Sequence, residues 1–190
     1  MALKCLTHPN VAPFLGVIAA SFELVLAWMP GGTLPVYIKK HPDVDRVGLV
    51  GSNPTAFPHT NQRHQLSDVA QGLCYLHSFN VVHGDIQGVC THYKYSFAAG
   101  LIPCQLSILV DDSGHARITC LGEASTTNDE GSLEDYSGIG GTSQWAAPET
   151  LEHMVYSKKS DIFSFALVMT EVCYGATVGR ASVHRRLVSV

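Results

Sequence analysis

Apolar positions along this chain recur with two different periods, and the period separates helices from strands. From Leu66 to Ser78 they fall at Leu66, Val69, Leu73, Leu76 and His77, with Gln71 and Ser78 off that face, which predicts an amphipathic helix. Ser160 to Tyr174 is apolar almost all round, with Ile162, Phe165, Ala166, Met169 and Val172 along one side. That pattern predicts a helix covered by other elements. Val11 to Val17 and Phe22 to Trp28 are short apolar runs that read as a hairpin of buried strands. Ser107 to Val110 and His115 to Thr119 flank Asp111-Asp112-Ser113-Gly114, a strong turn signal. Thr33 can cap a short helix from Leu34 to Lys40, with Pro35 tolerated in its first turn and His41-Pro42 as the stop. Met1 to Leu6 reads as the last turn of a helix ended by His8-Pro9-Asn10. Pro148-Glu149 opens another short helix.

Four stretches carry no period. Residues 48–65 and 89–106 are rich in breakers and long for connections inside a domain. Residues 123–141 are polar, acidic and glycine-bearing, which predicts a mobile surface loop, and 175–190 is an irregular tail. His59 and His64 in the first stretch lack a third ligand and read as solvated.

Composition narrows the class. The 190 residues suffice for one domain with a core, and the apolar content is 46% against 15% charged. A net charge of −4 gives no electrostatic reason to expect nucleic acid or an anionic membrane. Val11 to Met29 is apolar, but Pro13, Gly16, Glu23 and Pro30-Gly31-Gly32 break it, so two strands are expected rather than a membrane span. The six scattered cysteines form no C-x-x-C pair, and no leader is evident, so a reduced cytoplasmic or otherwise intracellular protein is expected.

The chemistry centres on Val82-His83-Gly84-Asp85-Ile86-Gln87-Gly88, a polar turn between apolar runs that can present one carboxylate to a hydroxyl. Around it six motifs occur in order. They are His8-Pro9-Asn10-Val11, Trp28-Met29-Pro30-Gly31-Gly32-Thr33-Leu34, Tyr75-Leu76-His77-Ser78, His83-Gly84-Asp85, Ala147-Pro148-Glu149 and Ser160-Asp161-Ile162-Phe163-Ser164-Phe165. Together they resemble a eukaryotic protein kinase, most like the tyrosine-kinase-like branch of Ser/Thr kinases. The resemblance runs from about Leu3 to Tyr174 apart from residues 48–65 and 89–106, makes 1–174 a partial kinase domain, and implies an α+β fold. It further implies a mainly α-helical C-lobe with the hinge and the last N-lobe strands attached, incomplete at both ends.

The resemblance also implies roles. ATP and Mg²⁺ would be the cofactors, and a protein the substrate or partner. Asp85 matches the aspartate that accepts the hydroxyl proton, and Thr142 the threonine that supports it. Leu26 matches the gatekeeper, the backbone of Ala27 and Met29 would bond adenine, and Leu109 would floor its pocket. Asp161 would anchor the catalytic turn. Ser125, Thr126, Thr127, Ser132, Tyr136 and Ser137 lie where phosphosites occur in the family, although a solvated linker explains them as well.

Several positions depart from the pattern. The phosphate loop, its lysine and the helix glutamate have no counterpart in the chain. Gly84 stands for an arginine and Gln87 for the phosphate lysine. Ser107 falls at the asparagine metal ligand and Cys120 at the aspartate ligand, and a neutral thiol is a poor Mg²⁺ ligand. Very weak or absent phosphoryl transfer is therefore expected. With no helices following Ser160–Tyr174, Glu149 would lack its usual arginine partner, and a marginal domain with an exposed apolar patch is expected. Joining Leu49-Val50 to Leu66, and Gly88 to Leu106-Ser107, would restore the family's spacing. Both intervening stretches end near glutamine (Gln65, Gln105), which suits intron read-through, with genuine loop insertion as the alternative.

Overall fold

In chain order the elements are β1 (Phe14–Ile18), β2 (Glu23–Leu26), β3 (Gly32–Thr33), α1 (Leu34–Lys40), α2 (Gln65–Ser78), β4 (Val81–Val82), β5 (Ile108–Val110), β6 (Ala116–Ile118), β7 (Ser125–Thr126), β8 (Ser132–Leu133), α3 (Pro148–His153), β9 (Tyr156–Ser157) and α4 (Lys158–Tyr174). The computed structural model describes residues 6–20, 23–41, 65–88, 107–119, 125–126, 132–133 and 144–174. Expectations for Met1 to Cys5, for 42–64, for 89–106, for Cys120, for Thr142 and for the 175–190 tail lie outside the described residues. The chain divides into two units, Met1–Tyr75 with Ile108–Thr119, and Leu76–Ser107 with Cys120–Val190.

In the first unit, β1 and β2 form an antiparallel hairpin with an irregularity between Phe14 and Gly16. The Val11 to Met29 stretch therefore contains two short strands, and among the described residues no helix is long and apolar enough to cross a membrane. The strands are shorter than the runs that predict them. Leu15, Val17, Ile18 and Leu24 are exposed, so this hairpin is not buried on both faces as expected. A three-stranded antiparallel sheet follows in the order β3-β5-β6. Its turn is the one expected: Gly114 N–H donates to the Asp111 carbonyl at 3.1 Å, and Gly114 sits at φ 78°.

Helix α1 matches its expected bounds. Thr33 is the N-cap, accepting from Val36 N–H at 3.4 Å, and His41 closes the C-terminus. Leu34 and Ile38 form its buried side. Helix α2 starts one residue earlier than predicted. Gln65, grouped by sequence with the irregular stretch before it, is fully buried, and its Nε2–H donates to the Gly114 carbonyl at 3.1 Å. Leu66, Val69 and Leu73 are buried as the period requires, each worth roughly 1.5–3 kcal/mol. Gly72 lets the helix approach the chain closely, since a Cβ there would meet the Asn10 carbonyl at 2.6 Å.

Asp68 fastens α2 to β6. Its Oδ2 accepts the Ala116 N–H at 3.0 Å and meets His115 Nδ1 at 3.2 Å. In the turn itself, burial pushes the Asp111 carboxyl up. The His115 backbone N–H and the Arg117 guanidinium outweigh that and hold it below its ordinary value.

The second unit holds α3, α4 and two short antiparallel pairs, β4 with β7 and β8 with β9. The last two pairings correct the expectation of an uninterrupted loop over 123–141, because Ser125–Thr126 and Ser132–Leu133 are strands. Isolated dipeptides of this kind take their conformation from a partner strand and leave no periodic signal. Helix α4 begins at Lys158, and it is not covered all round as expected. Asp161, Ser164, Phe165, Val168 and Val172 are buried, whereas Ile162 is 51% exposed and Ala166 is exposed. The helix turns its polar residues inward because their partners lie there.

Candidate functional site

The turn from His83 to Gly88 is held by α4 rather than by its own sequence alone. Asp161, in the first turn of α4 and 1% exposed, accepts three bonds. His83 N–H reaches its Oδ2 at 2.8 Å, Gly84 N–H its Oδ1 at 2.9 Å, and His77 Nε2 donates to Oδ2 at 2.8 Å. Two amides that would otherwise be orphaned in the interior are satisfied by one carboxylate. The helical period puts His77 on the apolar face of α2, but its ring serves Asp161. Gly84 takes φ 80°, a conformation that costs an L side chain of order 1 kcal/mol, so glycine suits this place.

Within the turn, Asp85 N–H donates to His83 Nδ1 at 3.1 Å. That nitrogen is an acceptor, so the proton of a neutral ring lies on Nε2. His83 is fully buried and shapes the turn. Gln87 is 2% exposed, and its Nε2–H donates to Asp85 Oδ2 at 2.8 Å. Ser107 clasps the same glutamine by its backbone. Its Oγ accepts the Gln87 N–H at 2.7 Å and donates to the Gln87 carbonyl at 2.9 Å. Gly88 lies against α4, where a Cβ would collide with the Glu171 carboxylate and touch Val168.

A small pocket beside Asp85 is lined by Gly84, Ile86, Trp145, Thr150, Tyr156 and Ser164. Ser164 braces it by donating to the Trp145 carbonyl at 2.8 Å, and Tyr156 enters from β9. The arrangement places the Asp85 carboxylate in the lining of a small, partly apolar hollow.

The other candidate residues fall into a separate group in the first unit. Leu26 ends β2 opposite Phe14. Ala27 N–H donates to the Pro13 carbonyl at 2.9 Å, and the Met29 carbonyl accepts Gly32 N–H at 3.1 Å. Leu109 is half-buried in β5 between the buried Ile108 and Val110. The structure thus brings Asp85, Gln87 and Ser107 together in one unit, and places Leu26, Ala27, Met29 and Leu109 in the other. Thr142 and Cys120 lie outside the described residues.

Magnesium would need more than this turn offers. The ion asks for hard, available oxygens, but Ser107 is a neutral hydroxyl with one lone pair already taken by the Gln87 N–H at 2.7 Å. Among the described residues no cluster of three or more His, Cys, Asp or Glu could hold a metal ion. The described residues here do not fit a magnesium site.

Sequence reasoning missed the Gln87–Asp85 bond and the double clasp of Ser107. The first had a faint signal, since Asp and Gln two apart on a turn can meet. The second had none, because the partners are 20 residues apart in sequence.

The family described as "Protein tyrosine and serine/threonine kinase" matches residues 1–89 and 104–188. Among curated proteins, the serine/threonine-protein kinase STY46 of Arabidopsis thaliana is 26% identical over 175 residues, 91% of this chain and 25% of that protein. Mitogen-activated protein kinase kinase kinase 2 of the same plant is 25% identical over 175 residues, covering 91% of this chain and 22% of its own length. The serine/threonine-protein kinase VIK, also from Arabidopsis thaliana, is 26% identical over 176 residues, 90% of this chain and 34% of its own length. The chain therefore spans about a third or less of these relatives.

Proposed function

This chain belongs to the protein tyrosine and serine/threonine kinase family, and from that premise we propose that it carries a kinase domain of Ser/Thr type whose phosphoryl transfer is strongly impaired. Asp85 is read as the acceptor for the proton of a protein hydroxyl. Leu26, Leu109, the Ala27 carbonyl and the Met29 N–H are read as the adenine contacts, with Thr142 as support for Asp85. Helices α2 to α4 are read as the large lobe, and β1–β2 with residues 26–29 as the last small-lobe strands and hinge.

One observation carries the impairment. Gln87 stands where a lysine would neutralise the transferred phosphoryl group, and its amide is spent on Asp85 itself at 2.8 Å. A neutral donor supplies no net charge to offset the phosphoryl oxygens. Ser107 in place of a metal ligand adds to the loss. Since about 1.4 kcal/mol corresponds to a tenfold change in rate, two missing charge-stabilising groups cost several orders of magnitude. Incorporation of labelled phosphate into protein by the wild-type chain is expected to equal that of Asp85→Ala. Incorporation clearly above that control overturns the reading.

A second reading rests on the intact turn. Asp161, His77 and the pocket beside Asp85 are fully built, which supports a non-catalytic module that engages a protein through this surface. Thermal shift separates the two: a residual kinase is stabilised by ATP with Mg²⁺, and a binding module by neither. Residues 89–106 are read as an insertion. In support, Ser107 would stand three positions after Gln87 without residues 89–105, the two are hydrogen-bonded, and the family match omits 90–103. A transcript encoding the stretch sinks the read-through origin. A chain lacking 89–105 is expected to keep its unfolding midpoint.

A further inference from the structure

We propose that Ser107 and Gln87 form a positioning relay that aims the Asp85 carboxylate without a metal ion. The proposal rests on the reading of Asp85 as the hydroxyl acceptor, and extends it to how that acceptor is held.

Ser107 is 0% exposed and spends its hydroxyl on a single residue, accepting from the Gln87 N–H at 2.7 Å and donating to the Gln87 carbonyl at 2.9 Å. A hydroxyl has one proton to give, so the donor is fully committed there. The backbone of Gln87 is thereby held at both its polar ends. Its side chain, 2% exposed, has few rotamers left, and its Nε2–H meets Asp85 Oδ2 at 2.8 Å. Asp85 is fixed from the other side by its own N–H on His83 Nδ1 at 3.1 Å. The chain of contacts runs Ser107, Gln87, Asp85, and every member is a group of the protein. In water these short polar side chains would sample many orientations. Inside the fold, an amide donor bound to a carboxylate is among the stronger neutral-to-charged hydrogen bonds. Ser107 and Gln87 are positioning residues, since neither is placed against the substrate hydroxyl.

The relay is tested on the isotope-labelled full chain in metal-free buffer by nuclear magnetic resonance. The Gln87 side-chain amide is expected downfield of free glutamine amides, and Asp85→Ala should return it to the free position. Ser107→Ala should move it most of the way there and speed exchange of the Gln87 backbone amide about tenfold or more. Ser107→Thr, which keeps the hydroxyl, should restore both. Excess magnesium chloride should shift none of these signals. A Gln87 amide that stays downfield in Ser107→Ala, or that reaches its downfield position only on adding magnesium, overturns the proposal. Should Ser107→Ala fail to fold, the wild-type spectrum with and without magnesium, and Ser107→Thr, still decide it. Phosphate incorporation is scored separately, so active transfer with an intact relay refutes the impairment alone, and a broken relay with no transfer refutes the relay alone.

Discussion

Two buried carboxylates in this protein do the same chemistry with different consequences. Asp68 lies on α2 and joins it to β6, and Asp161 lies on α4 and holds the candidate turn. Each accepts backbone N–H and a histidine ring nitrogen. Asp68 uses one oxygen for both partners, and its histidine side chain is 50% exposed. Asp161 uses both oxygens for three partners, and its histidine side chain is 13% exposed. Water can replace His115 at Asp68. At Asp161 little water can reach the amides of His83 and Gly84. The same device therefore fastens a hairpin in one place and shapes the candidate turn in the other, and burial makes the difference.

The comparison is broken most directly by deletion. Asp161→Ala should lower the unfolding free energy by about 3–5 kcal/mol, because it strands buried donors. Asp68→Ala should cost about 1–2 kcal/mol. Equal shifts in the urea midpoint would refute the role given to burial. Gly88→Ala tests the packing of the same turn on α4. Its methyl must displace the Glu171 carboxylate, at about 1–3 kcal/mol in the same assay. The histidines give a smaller contrast: His77→Ala should cost about 1 kcal/mol, and His115→Ala less than about 0.5 kcal/mol.

The smallest effect is a pH dependence confined to the hairpin. The Asp111 carboxyl is held below its ordinary 3.8. A depressed folded value means that its contribution is complete above 3.8 and is lost as pH falls through the lower folded value. Asp111→Asn should therefore flatten the acid limb of stability against pH while leaving the neutral region nearly parallel to wild type. An unchanged acid slope would remove Asp111 from the account.

Much of the fold was legible because its signals are local. The Thr33 cap, Pro35 in the first turn of α1, the Asp111–Gly114 turn and the apolar spacing of α2 all act within a few residues, and each element formed where predicted to within a residue or two. The edges of the apolar reading failed at specific places. The nearly all-round apolar character of α4 predicts cover on every side, yet Ile162 and Ala166 are exposed and the helix turns Asp161 and Ser164 inward. Hydrogen bonds to His83, Gly84 and Trp145 outweigh the exposure of one isoleucine there. The strands at Ser125–Thr126 and Ser132–Leu133 were illegible because two residues hold no period.

The candidate turn shows the same division. Sequence by itself determined the order of the motifs, the family they mark, the glycine at 84 and the loss of charge at Gln87. These depend on residue identity and spacing, which a linear chain records. Only the tertiary structure decided that Asp161 grips amides 77 and 78 residues away, and that Ser107 closes on Gln87 from 20 residues further along. Those contacts are set by which helix packs on which turn. A buried polar group takes whatever partner packing brings within reach, and nothing in its own neighbourhood along the chain specifies that partner.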